Sequence, residues 1–310
     1  MSAEFSIKIY GCRGSFPVSG PQFQRYGGAT PCVGVRVAGR DLALDAGSGL
    51  VGFGRDLAMR AASSQRPIEA CLFISHAHLD HITGLPFFTP FYIPDAAVWA
   101  FGPKNPHFES FEATIDTLVA PPFFPVPRYE MAAEIDIHDI NEASVVYFVR
   151  GESAPRIVRS RHPRHQEDLP PAADIEVMVE CMRGYNHPKC GVNFYRISAG
   201  GKTLVYATDT EGFVHDDRRL IEFSRGADVL IHDGMYAEET YYSPVRPTQG
   251  FGHSTVEIAA RLARAADVKQ LIIFHHDPTN TDDMLDELLR RARKLFAPTL
   301  MGVDGMEINL

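Results

Sequence analysis

The run Ser75-His76-Ala77-His78-Leu79-Asp80-His81 constrains this chain more than any other feature. It sets four metal-ligating side chains within six residues, directly after the apolar segment Cys71 to Ser75. Imidazole and carboxylate together suit zinc-like cations. The HxHxDH spacing can present His76 and His78 to one cation while Asp80 and His81 turn toward a second. Four groups cannot complete two sites, so further ligands are required. His187 (in YNHPKCG), Asp209 (after TLVYA) and His275 (after QLIIF) are the candidates, each where an apolar segment meets a loop and polar groups gather at a sheet rim. A carboxylate such as Asp209 can bridge two cations, and two cations about 3.5–4 Å apart can share a hydroxide nucleophile at neutral pH.

The remaining chemistry narrows the partners. With 30 Lys+Arg against 39 Asp+Glu, the formal charge of −9 disfavours a long nucleic acid held by bulk charge. The five cysteines form no CxxC pair and are odd in number, which argues against a disulfide framework and for a reducing, cytoplasmic setting. MSAEF has no basic start of a leader peptide, and the most apolar stretch, Pro86 to Gly102, is broken by Pro90, Pro94 and Asp95, so no membrane span is expected.

Short β segments fill the first half: Phe5 to Tyr10, Cys32 to Val37, Asp41 to Asp45 and Cys71 to Ser75, with a helix expected in LVGFGRDLAMRAA. Val192 to Ile197, Thr203 to Ala207, Asp228 to His232 and Gln270 to Phe274 repeat the pattern later. A helix opens at Ser254 with Glu257 three residues on, the signature of a capping box. Another carries Asp282 and Asp283 early and Arg290, Arg291, Arg293 and Lys294 late, matching the helix dipole. These elements predict an α+β fold, an αββα sandwich of two mixed β-sheets packed face to face with helices outside. A single domain over 1–310 is expected, with a Pro-rich insertion or lid at about 86–186 that has some strands of its own.

Taken together, LALDAG (Leu42 to Gly47), SHAHLDH, NHP, TDTE and HHDP resemble the metallo-β-lactamase superfamily, and within it the phosphodiesterase branch that includes ribonuclease Z. The resemblance covers most of the chain outside 86–186. It implies His76, His78 and His187 on a first metal, Asp80, His81 and His275 on a second, and Asp209 bridging, with Asp45 supporting the ligand loop. It also favours His275 over its neighbour His276. GHST (Gly252 to Thr255) and LIHDGMY (Leu230 to Tyr236) resemble segments that flank the phosphate in that branch. There a histidine matching His253 acts on the scissile phosphate, oriented by an acidic residue matching Asp233. Two departures stand out: Gly234-Met235 replaces the branch's small-Thr ending, and no Gly/Pro arm of the kind used to grip transfer RNA is visible.

The expectation is therefore a dinuclear hydrolase holding two divalent ions, zinc with manganese or iron as alternatives. It would cleave a phosphodiester in a small substrate, a cyclic nucleotide being the most economical choice. The attack would come from a metal-bridging hydroxide oriented by Asp80 and assisted by His253 and Asp233. The rivals are a tRNA 3′-processing endonuclease and a metal-binding partner protein without turnover. No membrane is involved, and a homodimer is compatible with the sequence. Simpler readings compete at several positions: His253 as a polar residue before a helix, Asp233 as a turn former, and Arg156, Arg159, Arg161 and Arg164 as a solvated face. The turns GCRGSFPVSG and RYGGATPC contain no phosphate-loop pattern and read as site-lining connections without chemistry.

Overall fold

The structure, a computed structural model, describes residues 5–158, 169–212 and 217–310. Strands β1 (Phe5–Gly11), β2 (Cys32–Val37) and β3 (Arg40–Leu44) run antiparallel, and helix α1 (Leu50–Ser64) crosses to β4 (Glu69–Phe73), parallel to β3. A single turn, α2 (Leu79–Ile82), follows, then β5 (Ala97–Gly102), α3 (Phe111–Leu118) and β6 (Glu134–Asp139). The chain then enters a second sheet through β7 (Val145–Val149), β8 (Arg156–Val158), β9 (Ile175–Gly184), β10 (Val192–Ala199) and β11 (Lys202–Ala207). Helix α4 (Arg218–Ser224), β12 (Val229–Asp233), α5 (Glu238–Tyr241), α6 (Val256–Ala265), β13 (Gln270–Phe274), α7 (Asp282–Leu295) and β14 (Thr299–Met301) follow, and β15 (Glu307–Asn309) returns to pair with β1.

Among the described residues the first sheet has the order β15-β1-β2-β3-β4-β5-β6 and the second β14-β13-β12-β11-β10-β9-β7-β8. Alternation along β1, with every second residue buried, shows why: the inward set Phe5, Ile7 and Ile9 meets Tyr195, Ile197, Tyr206 and Phe274 of the facing sheet in a core that excludes water. The outer faces are covered separately. Leu50, Phe53 and Leu57 of α1 and Phe111 and Ile115 of α3 seal the first sheet. Val256, Ala259, Leu262 and Ala263 of α6, with Leu285 and Leu288 of α7, seal the second. The result is the expected αββα sandwich.

Three expectations shift in detail. Segment 86–186 supplies β5 and β6 to the first sheet and β7, β8 and β9 to the second, and none of its described prolines lies inside a strand, where a missing N–H would break the ladder. β4 ends at Phe73, so Ile74 and Ser75 already belong to the turn that delivers His76. The cap of α6 is Thr255 rather than Ser254: the Thr255 hydroxyl accepts from the Ile258 amide, while the Ser254 hydroxyl donates to the Thr210 carbonyl at 2.6 Å. The expected strands AVWAF and VVYFV are β5 and β7, whereas β6, EIDIHD, was hard to foresee because it carries polar side chains on an edge.

Candidate metal centre

Parallel strands bring the polar groups to one rim. Asp45 follows β3, His76 follows β4, Asp209 follows β11, Asp233 ends β12 and His275 follows β13, so five carboxyl ends converge from two sheets. Asp45, Asp209 and His275 have φ of 61°, 52° and 60°, in the left-handed region. That conformation is uncommon for non-glycine residues and is held only where the surroundings over-determine it. Each bends the chain at the strand end, where its side chain joins the cluster.

The hydrogen bonds fix which ring nitrogens face inward. Ser75 donates its hydroxyl to Asp45 at 2.8 Å, so its oxygen accepts from His76 Nδ1 at 3.0 Å. His76 Nε2 is then left bare, buried and without a hydrogen-bond partner, 3.8 Å from Asp209. His81 donates Nδ1 to Asp45 at 2.7 Å, and its Nε2 lies 3.2 Å from Asp209 and 3.3 Å from both Asp80 and His275 Nε2. His187 donates Nδ1 to the Gly252 carbonyl, and its Nε2 faces His78 Nδ1 at 3.1 Å and Asp209 at 3.7 Å. His275 Nε2 lies 3.2 Å from Asp80 and 3.4 Å from Asp209. Ring nitrogens of five imidazoles thus converge with two carboxylates, and in His76, His81 and His187 the other nitrogen is held outward by a hydrogen bond. The sets His76/His78/His187, His76/His81/Asp209 and Asp80/His81/His275 each bring their ligand atoms within 4.8 Å of one another. Bare imidazole nitrogens with carboxylate oxygens are the donor chemistry that divalent cations of the zinc type take, and the outward N–H bonds are the supports such ligands need.

Electrostatics divide the cluster. Burial pushes His76 well down and His187 to about 4, leaving both rings neutral, the form that ligates. Burial works against a charged His81, but the carboxylates of Asp209, Asp80 and Asp45 overcome it and hold the ring well above the ordinary imidazole value. Asp80 and Asp209 are held below the usual carboxylate range, burial notwithstanding, by the surrounding histidines. Beside them, His253 donates Nδ1 to Asp233 at 2.7 Å and stacks on His275 with centroids 4.9 Å apart. Burial again opposes charge there, yet the Asp233 carboxylate raises His253 to about 9. The other Asp233 oxygen accepts from the Ser254 and Met235 amides, which fixes the carboxylate.

Every site residue expected from the sequence lies in or against this cluster: His76, His78, Asp80, His81, His187, Asp209, His275, His253, Asp233 and Asp45. His276 turns away and donates Nε2 to the Gly302 carbonyl. Of the four arginines, Arg156 is exposed and pairs with Glu152, while Arg159, Arg161 and Arg164 lie outside the described residues. Sequence reasoning missed the supports. The Ser15 amide donates to Asp80 at 2.7 Å, and a Cβ at Gly14 would fall 2.4 Å from the His275 ring, so the first glycine-rich turn is pressed against the centre. Tyr206 donates to Asp45 at 2.7 Å. Glu211 accepts from the amides of Gly250 and Gly252 and from the Tyr241 hydroxyl, tethering the loop that leads into His253. Gly252 has φ of 88°, and a Cβ there would fall 2.3 Å from His187 Nδ1.

A family model described as "Beta-lactamase superfamily domain" matches residues 40–276, from the start of β3 to the second residue after β13. The chain belongs to the beta-lactamase superfamily. Its histidine and aspartate clusters mark it within that superfamily as a metal-dependent hydrolase. Among similar proteins, ribonuclease Z of Thermoplasma acidophilum is 29% identical over 100% of this chain and 98% of that protein. Two solved structures share the superfamily fold: the metallo-beta-lactamase fold protein YhfI from Bacillus subtilis (TM-score 0.62, 18% identity, 99% of this chain and 100% of that one) and human tRNase Z, short form (TM-score 0.60, 17% identity, 98% of each).

Proposed function

We propose that this superfamily member is a ribonuclease Z-like phosphodiesterase that cleaves RNA near the 3′ end of a transfer RNA precursor. The His253–Asp233 pair against the histidine and aspartate cluster is the observation that carries the reading. A lactam needs no charged imidazole beside the metals, whereas a phosphodiester passes through a state rich in negative charge on its oxygens. His76, His78 and His187 would hold one cation and Asp80, His81 and His275 a second, with Asp209 between them. Zinc fits this nitrogen-rich set, and manganese or iron are its alternatives. When bound, such ions supply Lewis-acid neutralisation of phosphoryl charge and an activated water.

The chain's own groups do the rest. Asp80, fixed by the Ser15 amide, accepts a proton from or orients the attacking water. His253, its Nδ1–H spent on Asp233, offers the proton on Nε2 to a phosphate oxygen or to the leaving oxygen. Relatives named ribonuclease Z support RNA as substrate over the cyclic nucleotide expected from sequence. No described helix is long and apolar enough to cross a membrane.

The test incubates zinc- or manganese-loaded protein with a 3′-extended transfer RNA precursor, bis-p-nitrophenyl phosphate and 2′,3′-cyclic AMP. A single cut near the precursor's 3′ end is expected. Hydrolysis of the cyclic nucleotide with an intact precursor would return the reading to a small diester, and inertness toward all three would refute both.

A further inference from the structure

A cavity of about 170 Å³ opens beside His76 and His78, and none of Asp80, Asp209 or His275 lines it. It is therefore a separate compartment that shares one wall with the cluster. His78 is solvent-exposed, so that wall lies at the mouth. The apolar part of the lining is made by Ala77, Pro103, Phe108, Cys190 and Gly191. Phe108, which lines the cavity, is 36% exposed, leaving ring surface uncovered.

The polar groups in the wall are already locked. Asn105 is buried, donates to the Thr114 hydroxyl at 3.0 Å and accepts from the His107 amide at 2.9 Å. Arg183 donates to Asn193 at 2.9 Å and to the Cys190 carbonyl. The Asn193 backbone amide in turn donates to the Ser75 carbonyl, so Arg183 is tied through Asn193 to the turn that carries His76. The compartment is thus preformed, narrow and bounded by an aromatic ring. Drug-sized ligands need roughly 300–1,000 Å³, so this space takes one flat ring and no more.

We propose that this cavity is a base-binding subsite that takes the nucleobase of the nucleotide whose phosphate reaches the histidine and aspartate cluster. The inference rests on the phosphodiesterase reading above and adds a specificity element to it. A flat heteroaromatic ring gains most by stacking on Phe108. Its edge meets the side chain of Asn105, which Thr114 and the His107 amide hold in place. A diester without a base would leave the compartment filled with water.

The experiment measures calorimetric binding of AMP, ribose 5-phosphate and inorganic phosphate to the zinc-loaded full chain. AMP should bind on the order of ten-fold tighter than ribose 5-phosphate, matching the loss expected when one stacked base is removed. Phe108→Ala should abolish that difference and leave phosphate binding unchanged, while Phe108→Tyr should restore it. Equal affinity of the wild type for AMP and ribose 5-phosphate, no measurable AMP binding, or a Phe108→Ala effect that falls equally on all three would overturn the subsite. A base preference that survives alongside an uncut precursor would keep the subsite and reject the nuclease assignment.

Discussion

His253 carries its proton at neutral pH because Asp233 faces it at 2.7 Å. Since its pKa is raised to about 9, the charged form is present below that value and is lost as pH rises through it. Phosphodiester hydrolysis should therefore decline above about pH 9, and His253→Gln should lower kcat by about 10²–10⁴-fold and remove that alkaline limb. A pH–rate profile of both proteins decides it; an unchanged limb in the variant would assign the proton elsewhere. Asp45 offers a second test. It touches no candidate cation position, yet it accepts from the Ser75 amide, the Ser75 hydroxyl, His81 and Tyr206. Asp45→Ala should weaken zinc affinity by about 10–100-fold, read by chelator competition, with the ligands themselves intact. Asp45 was expected from the resemblance, but the other supports were concealed in the sequence. His76 to His81 announce themselves by local spacing, whereas Ser15, Tyr206 and Glu211 gain their roles only from contacts between segments far apart in the chain.

Elements were legible where one physical rule dominated. Cys32–Val37 and Gln270–Phe274 are predominantly apolar runs between turns and fold as strands, and α7 shows its acidic start and basic end. The start of α6 was misplaced by one residue because Ser254 and Thr255 are both competent caps, and the choice depends on the Thr210 carbonyl, which claims Ser254. This division of labour is testable. Thr255→Ala should cost about 1 kcal/mol in urea unfolding through loss of the cap. Ser254→Ala should leave the helix start intact and instead strand the buried Thr210 carbonyl, so equal cap loss in both variants would contradict the structure.

At the scale of the molecule, the cluster joins two layers that also meet through side-chain packing and through hydrogen bonds such as Tyr195 to the Ile74 carbonyl and the Asn193 amide to the Ser75 carbonyl. His76, Asp80 and His81 come from the first sheet's side, and Asp209 and His275 from the second. A cation held there binds the folded chain and not the unfolded one, so saturating zinc should raise Tm by about 5 °C in a thermal melt, and a chelator should reverse it. A Tm indifferent to zinc would mean the groups do not close on a cation.

The same arrangement imposes a timetable on synthesis. His76 and His275 are separated by about 200 residues, and a ribosome adding roughly 5–20 residues per second delivers them about 10–40 s apart. Throughout that interval a nascent chain displays HxHxDH without the partners that complete its coordination. With the later groups still absent, any choice among divalent metals at that stage would rest on ligand type and metal availability rather than on the finished geometry. Release and exchange after β13 has joined the second sheet would then decide which ion the mature protein keeps.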